Sequence, residues 1–330
     1  MAVLRSFGVG KKSFESEIAE ESRYLIDKFR STAAGGKPFD PTHLLCNAVG
    51  NVICSVTFGK RYDYDDETFI RMFHYVEFIL EHQIQNAVMT EACPPLVRMP
   101  FGPIKKYRQC LVNYRQCIKD IIHDHRESFD PDNMRDYIDV YFKEMLLKQE
   151  HGIDTKLNED NLEATIEDLF LAVAQTTATS LRWTILLMMA YPDVQSRVQE
   201  ELDSVVGRDR LPVLADRSQL IYTEAVMNEI MRYGTIAPIG APHFAENDTT
   251  FRGYDIPKGT IIIGNLWNVS RDPDLWNDPN IDQFNPDRFL DNNNEGGIQK
   301  PEHHLVFGSG KYDNVLPDGL LKSGVVRPAE

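Results

Sequence analysis

One long amphipathic stretch, residues 157–189, dominates the pattern of this sequence. Its apolar side chains recur every three or four positions, which is the spacing of one face of an α-helix. Asn158 can cap this helix, Glu159 and Asp160 occupy its first turn, where the helix dipole favours negative charge, and Pro192 follows its end. The stretch therefore predicts a single helix of roughly 50 Å, long enough to cross a domain.

The charges and the small side chains of this stretch restrict what the helix can be. Glu163 and Glu167 argue against a membrane span, and no heptad pattern of apolar residues continues through its centre, so we expect a buried central helix. Most residues of 172–180 are small or carry hydroxyl groups, where a packed helix prefers Leu. Two interpretations remain: something approaches the backbone there, or Thr176 and Thr177 return their hydroxyl groups to carbonyl oxygens one turn earlier.

Composition and charge narrow the class of protein further. A chain of 330 residues with 42% hydrophobic content can bury the core of one large domain or two smaller ones. Its net charge of −15 argues against nucleic acid as a partner. The five cysteines lie between positions 46 and 117 without a C-x-x-C pair, which indicates reduced, buried or incidental thiols in a cytosol-facing protein. No long apolar run and no signal sequence occur, so we expect no transmembrane segment in this chain.

Further elements flank the central helix. Helical periodicity predicts helices at 14–29, 41–58, 67–88, 104–127, 134–148, 192–206 and 224–233. Runs at 251–254 and 260–263 are typical of strands, and a Pro-, Asp- and Asn-rich stretch at 271–294 has the aromatic content of ordered structure. His123 and His125 are two positions apart and face different sides of their helix, so they do not form a helical metal site. We expect a mostly α-helical fold with small β-sheets, built on the long central helix.

A series of motifs follows the central helix in a fixed order. An E-x-x-R pair alone is common in surface helices, where it contributes roughly 0.2–0.5 kcal/mol. Here it opens a longer series: Glu229 with Arg232, then Ala241-Pro-His243, Gly253 to Thr260, Phe284-Asn-Pro-Asp-Arg288-Phe289, and Phe307-Gly308-Ser309-Gly310. In this order the chain closely resembles the cytochrome P450 superfamily of heme-thiolate monooxygenases, and within it the microsomal family 2 type. The resemblance covers residues 5–310.

The resemblance implies roles for individual residues. Glu229, Arg232 and Arg288 match a buried Glu-Arg-Arg network beneath the heme, and Thr176 matches the oxygen-activating threonine of the central helix, with Thr177 beside it. The residues that match heme-binding positions are His243, Phe307, Gly308 and Gly310. The segments that would face the substrate are 67–88, 93–101, 170–174 and 236–241.

The resemblance also implies a cofactor, partners and a location. The cofactor would be heme, the substrate a lipophilic small molecule, and the electron donor NADPH–cytochrome reductase. The location would be the cytosolic face of the endoplasmic reticulum membrane, with membrane association. By resemblance we therefore expect a heme-dependent monooxygenase that inserts one oxygen atom from O2 into drug-like or fatty-acid substrates.

The sequence departs from the family pattern at positions that matter for this chemistry. Val173 and Gln175 replace the glycine and the acid of the family's central helix. In the signature Phe-Gly-x-Gly-x-Arg-x-Cys-x-Gly, Asn314 stands at the cysteine, Tyr312 at the arginine and Leu316 at the last glycine. A cysteine thiolate favours O–O cleavage by pushing electron density onto iron, and a carboxamide has no such charge.

These departures lead to an expected domain organisation and a second functional hypothesis. We expect residues 1–310 to form a P450-like domain that lacks its N-terminal anchor, first sheet and first helices. Residues 311–330 are a divergent tail that replaces the heme-binding Cys loop and the last helix. The alternative function is therefore a non-catalytic, truncated or misassembled product without thiolate ligation of heme.

Overall fold

The computed structural model describes residues 12–92, 102–153, 157–291 and 297–308, and its contacts divide the chain into two compact units, 1–182 and 183–330. The structure is mostly α-helical with small antiparallel sheets, which confirms the predicted fold class. The helices of the first unit are α1 (Lys12–Ala33), α2 (Thr42–Phe58), α3 (Glu67–Ala92), α4 (Pro103–Glu127), α5 (Tyr137–Glu150) and most of α6 (Glu159–Ala190). Within the described ranges, no helix has both the length and the apolar character of a membrane span.

Aromatic side chains of α3 build the core of the first unit. Phe69 is buried, its ring centroid lies 4.7 Å from that of Phe73, and Phe73 meets the edge of Phe170 from α6 at 6.5 Å. A Cβ atom on Gly50 would lie 1.9 Å from the ring of Phe73, so only glycine permits this approach. Phe69 and Phe73 of α3 thus pack in or against the hydrophobic core. The family resemblance led us to expect that their segment, 67–88, faces the substrate.

The central helix α6 follows its sequence pattern closely. The side chain of Asn158 accepts a hydrogen bond from the amide of Asn161 at 2.8 Å, as a helix cap does. Glu159 and Asp160 lie in the first turn. The helix ends at Ala190, so the predicted range 157–189 is correct to within two residues. Its first part, up to Arg182, belongs to the first unit, and its remainder belongs to the second.

The second unit combines helices with short hairpins. Its helices after α6 are α7 (Pro192–Val205), a 3-10 helix (Leu214–Gln219), α8 (Ile221–Gly234), α9 (Leu266–Val269), α10 (Pro273–Trp276) and a 3-10 helix (Pro286–Phe289). Its strands are β1 (His243–Phe244), β2 (Thr249–Phe251), β3 (Tyr254–Ile256), β4 (Ile261–Ile262), β5 (Leu290–Asp291) and β6 (Gly297–Ile298). They pair antiparallel as β1 with β4, β2 with β3, and β5 with β6. Its core packs α7 and α8 around Leu187, Val226 and Phe284.

Several predicted element boundaries were wrong, and α1 and α3 each extend four residues beyond their predicted ends, to Ala33 and Ala92. The predicted strand 251–254 is the turn of a hairpin, because Arg252 and Gly253 take left-handed φ values of 51° and 85°. The helix predicted from residue 134 begins at Tyr137, because the side chain of Asp136 caps it. The helix predicted from residue 224 begins three residues earlier, at Ile221.

Candidate functional site

Glu229 and Arg232 form a fully buried ion pair on α8. Arg232 Nε donates to Glu229 Oε2 at 2.7 Å, and Arg232 Nη2 donates to Glu229 Oε1 at 2.8 Å. Both side chains are 0% exposed. Two parallel charge-assisted bonds fix the carboxylate and the guanidinium in one plane. The pair therefore differs from the surface E-x-x-R pairs that its spacing alone would suggest.

Arg288, the third member of the predicted network, reaches the same carboxylate. Its Nε lies 3.1 Å from Glu229 Oε2, which is an ion pair rather than an aligned hydrogen bond, since that nitrogen has no hydrogen-bond partner. The Arg288 guanidinium also donates to the carbonyl oxygen of Gln283 at 3.0 Å and pairs with Asp278. The structure thus brings Glu229, Arg232 and Arg288 together around one buried carboxylate.

Backbone groups of the segment 270–285 complete the network. Arg232 donates to the carbonyl oxygens of Ser270 at 2.8 Å and Gln283 at 3.3 Å, and Glu229 Oε1 accepts from the amide of Asn285 at 2.8 Å. Sequence reasoning missed these partners, because any residue type can supply a backbone group. These hydrogen bonds connect α8 to the stretch 270–285. They also give both buried charged groups the hydrogen-bond partners that they would otherwise find in water.

Two neighbouring histidines pack beside this network. The Arg232 guanidinium lies 5.5 Å from the Trp276 ring, and that ring meets the edge of His303 at 4.5 Å and of His304 at 6.2 Å. The ring of Phe289 contacts His304 at 4.9 Å. Burial lowers the pKa of His303 and lowers that of His304 to about 4. Both imidazoles are therefore neutral at physiological pH, and their buried Nε2 atoms have no hydrogen-bond partner. The His-His pair just before Phe307 was the sequence signal for this cluster, and our sequence reasoning did not use it.

The residues assigned to heme binding are only partly within the described ranges. Phe307 is exposed, and Gly308 has a φ of 87°, a backbone conformation that favours glycine. His243 is exposed in β1, where it pairs with Ile262 of β4. Gly310 and Asn314 lie outside the described residues. The predicted segment 93–101 also lies outside them.

The hydroxyl group of Thr176 is returned to the backbone of its own helix. It donates to the carbonyl oxygen of Ala172 at 2.6 Å, which confirms the second interpretation of this stretch for Thr176. The side chains of Thr176 and Thr177 are exposed, whereas the flanking Ala174 and Ala178 are buried. Ala174 and Ala178 therefore pack on one face of α6, and the two threonines lie on an exposed face.

The two positions that depart from the family pattern on α6 both contact the rest of the first unit. Val173 packs against its hydrophobic core. The Cys46 thiol donates to Gln175 Oε1 at 3.8 Å, and burial raises the pKa of that thiol. A neutral thiol thus faces a neutral carboxamide where the family has an acid. Residues 172–180 carry no Asp, Glu, His, Cys, Tyr, Lys or Arg side chain, and their hydroxyl groups are the side-chain groups with an exchangeable proton besides the amide of Gln175.

Comparison with protein families identifies the fold. Residues 1–312 match the family model described as cytochrome P450. This chain belongs to the cytochrome P450 family. The buried Glu229–Arg232 pair and the long helix α6 are therefore features of a P450 domain, and the assignment rests on nearly the whole chain rather than on one motif.

The individual P450 proteins that match this chain are of the microsomal family 2 type. The chain is 40% identical to cytochrome P450 2U1 of Bos taurus over 94% of its own length and 56% of that protein. It is 40% identical to cytochrome P450 2J3 of Rattus norvegicus and 39% identical to cytochrome P450 2C8 of Homo sapiens, again over 94% of its length. These matches cover 61% and 62% of the two proteins. The chain thus spans about three fifths of the length of these relatives.

The P450 family implies heme, and thiolate ligation of the heme iron requires a cysteine. The sequence has no cysteine after Cys117, and the resemblance placed Asn314 at the ligand position of the signature, two residues beyond the range 1–312 that the family model matches. In the described part of the chain, the cysteines Cys46, Cys54, Cys110 and Cys117 are free thiols of the first unit. No cluster of three or more His, Cys, Asp or Glu side chains able to hold a metal ion occurs among the same residues.

Proposed function

We propose that this P450 scaffold belongs to a heme-dependent monooxygenase of the microsomal type. Such an enzyme inserts one oxygen atom from O2 into a lipophilic substrate, with electrons from NADPH–cytochrome reductase, at the cytosolic face of the endoplasmic reticulum. The observation that carries this proposal is the 40% identity to microsomal P450 relatives over 94% of the chain. Membership of the family supports the reaction class, whereas the substrate depends on pocket shape.

The proposed roles of individual residues follow the motif order. Thr176, with Thr177 beside it, takes the place of the threonine that assists proton delivery. His243, Phe307, Gly308 and Gly310 take the places of heme-contacting residues. The network of Glu229 with its two arginines is structural in this proposal. Its charged groups contact one another and backbone groups of 270–285.

A second candidate applies to this chain as it is written. We propose that this polypeptide does not ligate heme through a thiolate and is therefore not catalytic. The observation that favours this candidate is Asn314 at the cysteine position, together with Tyr312 and Leu316 at the neighbouring signature positions. A carboxamide is neutral at all relevant pH values, so it cannot supply the negative charge that a thiolate gives to iron.

One experiment separates the two candidates for this chain. The full chain is purified with added hemin, reduced, and exposed to carbon monoxide, and its absorption spectrum is recorded. A thiolate-type band would support the monooxygenase for this chain and overturn the second candidate. Absence of that band, with no turnover of a fatty-acid substrate in the presence of reductase, supports the second candidate. Sequencing of transcripts for an in-frame Gly-x-Arg-x-Cys-x-Gly segment after Phe307 then shows whether the locus also encodes a complete signature.

A further inference from the structure

A half-buried histidine joins three helices of the first unit. His125 lies on α4, and its Nδ1 is 2.7 Å from the carbonyl oxygen of Ile121, one turn earlier. Its Nε2 is 2.9 Å from Asp136 Oδ2, at the start of α5, and 3.3 Å from the carbonyl oxygen of Phe58, at the end of α2. The side chain of Asp136 is 1% exposed, and that of His125 is 13% exposed. Little water can therefore replace these contacts.

The partners of His125 determine its protonation state. Each of the three facing atoms is a carbonyl or carboxylate oxygen, so each can only accept a hydrogen bond. A neutral imidazole has one N–H group, and its other nitrogen would place a lone pair against an oxygen. Burial opposes the charge, but the hydrogen bonds to Asp136 and to the carbonyl oxygens of Ile121 and Phe58 outweigh it, so the pKa of His125 is raised. The arrangement suits an imidazolium that donates from both nitrogens.

Asp136 and two charged groups near it, Arg135 and Asp139, have further partners. Asp136 uses Oδ1 to accept from the amide of Asp139 at 3.0 Å, which caps α5. Asp139 is held by Arg135 through bonds of 2.6 and 2.8 Å, so its charge is largely compensated. α2 contributes the carbonyl group of Phe58, and at the following Gly59, whose φ is 60°, a Cβ atom would lie 3.0 Å from Asp136 Oδ2. Asp136 is thus the anion that the imidazolium faces directly.

We propose that protonated His125 is a pH-sensitive clamp that holds the ends of α2, α4 and α5 together and loosens as the pH rises. The clamp contributes its full stabilisation below the unfolded-state pKa of about 6.5 and loses it as the pH rises through the higher pKa of the folded state. Each pKa unit between the two states changes the opening equilibrium by about tenfold. The device is separate from the residues assigned to heme chemistry, so it can be tested without any heme.

The test measures the protonation of His125 and the local opening of the ends of α2 and α5 in the full chain. The protein is labelled with 15N-histidine for NMR, and hydrogen exchange, corrected for intrinsic rates, is measured from pH 6 to pH 9 at residues 58–62 and 136–140. We expect both nitrogens of His125 to carry protons at pH 6.5. We also expect protection in the two segments to fall as the pH rises across the range.

Three variants complete the design. H125Q should abolish the pH dependence of protection, and D136N, which keeps the capping oxygen but removes the charge, should shift its midpoint to lower pH. H123Q is the matched control, because His123 lies on the same helix with a side chain that is 66% exposed. A single N–H tautomer of His125 at pH 6.5 would overturn the proposal. So would a wild-type pH profile in H125Q or, if that variant does not fold, in D136N.

Discussion

Thr176 donates its hydroxyl proton to the carbonyl oxygen of Ala172, at 2.6 Å on the same helix. A threonine hydroxyl has one proton, so in this geometry the proton is committed to the backbone, and only the oxygen lone pairs remain open. Delivery of that proton to another acceptor requires the hydroxyl group to break this hydrogen bond by rotating about its Cβ–Oγ1 bond. The residue that the resemblance assigns to proton delivery therefore has a conformation in which its hydroxyl group bonds to the backbone of its own helix.

The first prediction concerns this hydroxyl group. Thr176→Val should change the free energy of unfolding by no more than about 0.5 kcal/mol, because the side chain is exposed and valine keeps its shape. Ala178→Val, two positions later, is the control. Its methyl groups enter a buried site and should cost about 1–3 kcal/mol. Urea unfolding measures both variants. A cost for Thr176→Val as large as that of Ala178→Val would show that the hydroxyl is needed for folding.

The second prediction concerns the buried ion pair of α8. Glu229→Gln should lower the free energy of unfolding by about 3–5 kcal/mol, since it leaves the Arg232 charge buried without a counterion. The comparison is Asp203→Asn, the same change in an exposed pair with Arg208, for which no measurable loss is expected. Denaturant unfolding followed by tryptophan fluorescence is suitable, because all three tryptophans lie in the second unit. Equal losses in the two variants would contradict a structural role of the network.

The third prediction concerns acid stability of the second unit. The pKa of His304 is lowered to about 4, against about 6.5 in an unfolded chain, so only the unfolded state takes up a proton between these values. Stability should therefore fall as the pH drops from 6.5 toward 4, by about 3 kcal/mol at most. His304→Phe keeps a ring against Trp276 and Phe289 and should remove most of this loss.

The control for this measurement is His243→Gln, since His243 is an exposed histidine of the same unit. The urea midpoint of the fluorescence transition is compared at several pH values between 7 and 4. The His243 variant should retain the acid sensitivity of the unmodified chain. If His304→Phe retained it as well, the burial of His304 would not be its cause.

The fourth prediction concerns Asn314 and the two neighbouring positions of the signature, Tyr312 and Leu316. Asn314→Cys alone should not give a thiolate-type carbon-monoxide spectrum. It supplies the sulfur, but Tyr312 still provides no cation for a propionate, and Leu316 still places a side chain where the signature has glycine. The same change combined with Tyr312→Arg and Leu316→Gly is the comparison. A thiolate band from the single variant would show that the two neighbouring positions matter little.

The sequence predicted the helical part of this fold well. The long helix α6 was found within two residues of its ends, because its apolar period, its cap at Asn158 and its acidic first turn all agree. The assignment of Glu229, Arg232 and Arg288 to one cluster came from the resemblance to the P450 family, which motif order revealed, and the structure places them around one carboxylate. Helical period and motif spacing are properties of the chain itself, so they can be read without coordinates.

Other features depend on groups that a sequence does not display. The backbone atoms of Ser270, Gln283 and Asn285 that complete the network come from the path of the chain rather than from residue type. The role of His125 was equally hidden, because two of its three partners are carbonyl oxygens. The hairpin at Arg252 was missed because an arginine, rather than the usual asparagine or glycine, takes the left-handed conformation there.

The network around Glu229 also sets an order of events during synthesis of the chain. Glu229 and Arg232 are three residues apart and can meet as soon as α8 forms, but Asn285 follows Glu229 by 56 residues. At translation rates of about 5–20 residues per second, its amide leaves the ribosome roughly 3–11 s after the carboxylate. During that interval the side chains of Glu229 and Arg232 remain hydrated, because their backbone partners have not yet been made. Helix α8 is therefore buried only after most of the second unit has been synthesised.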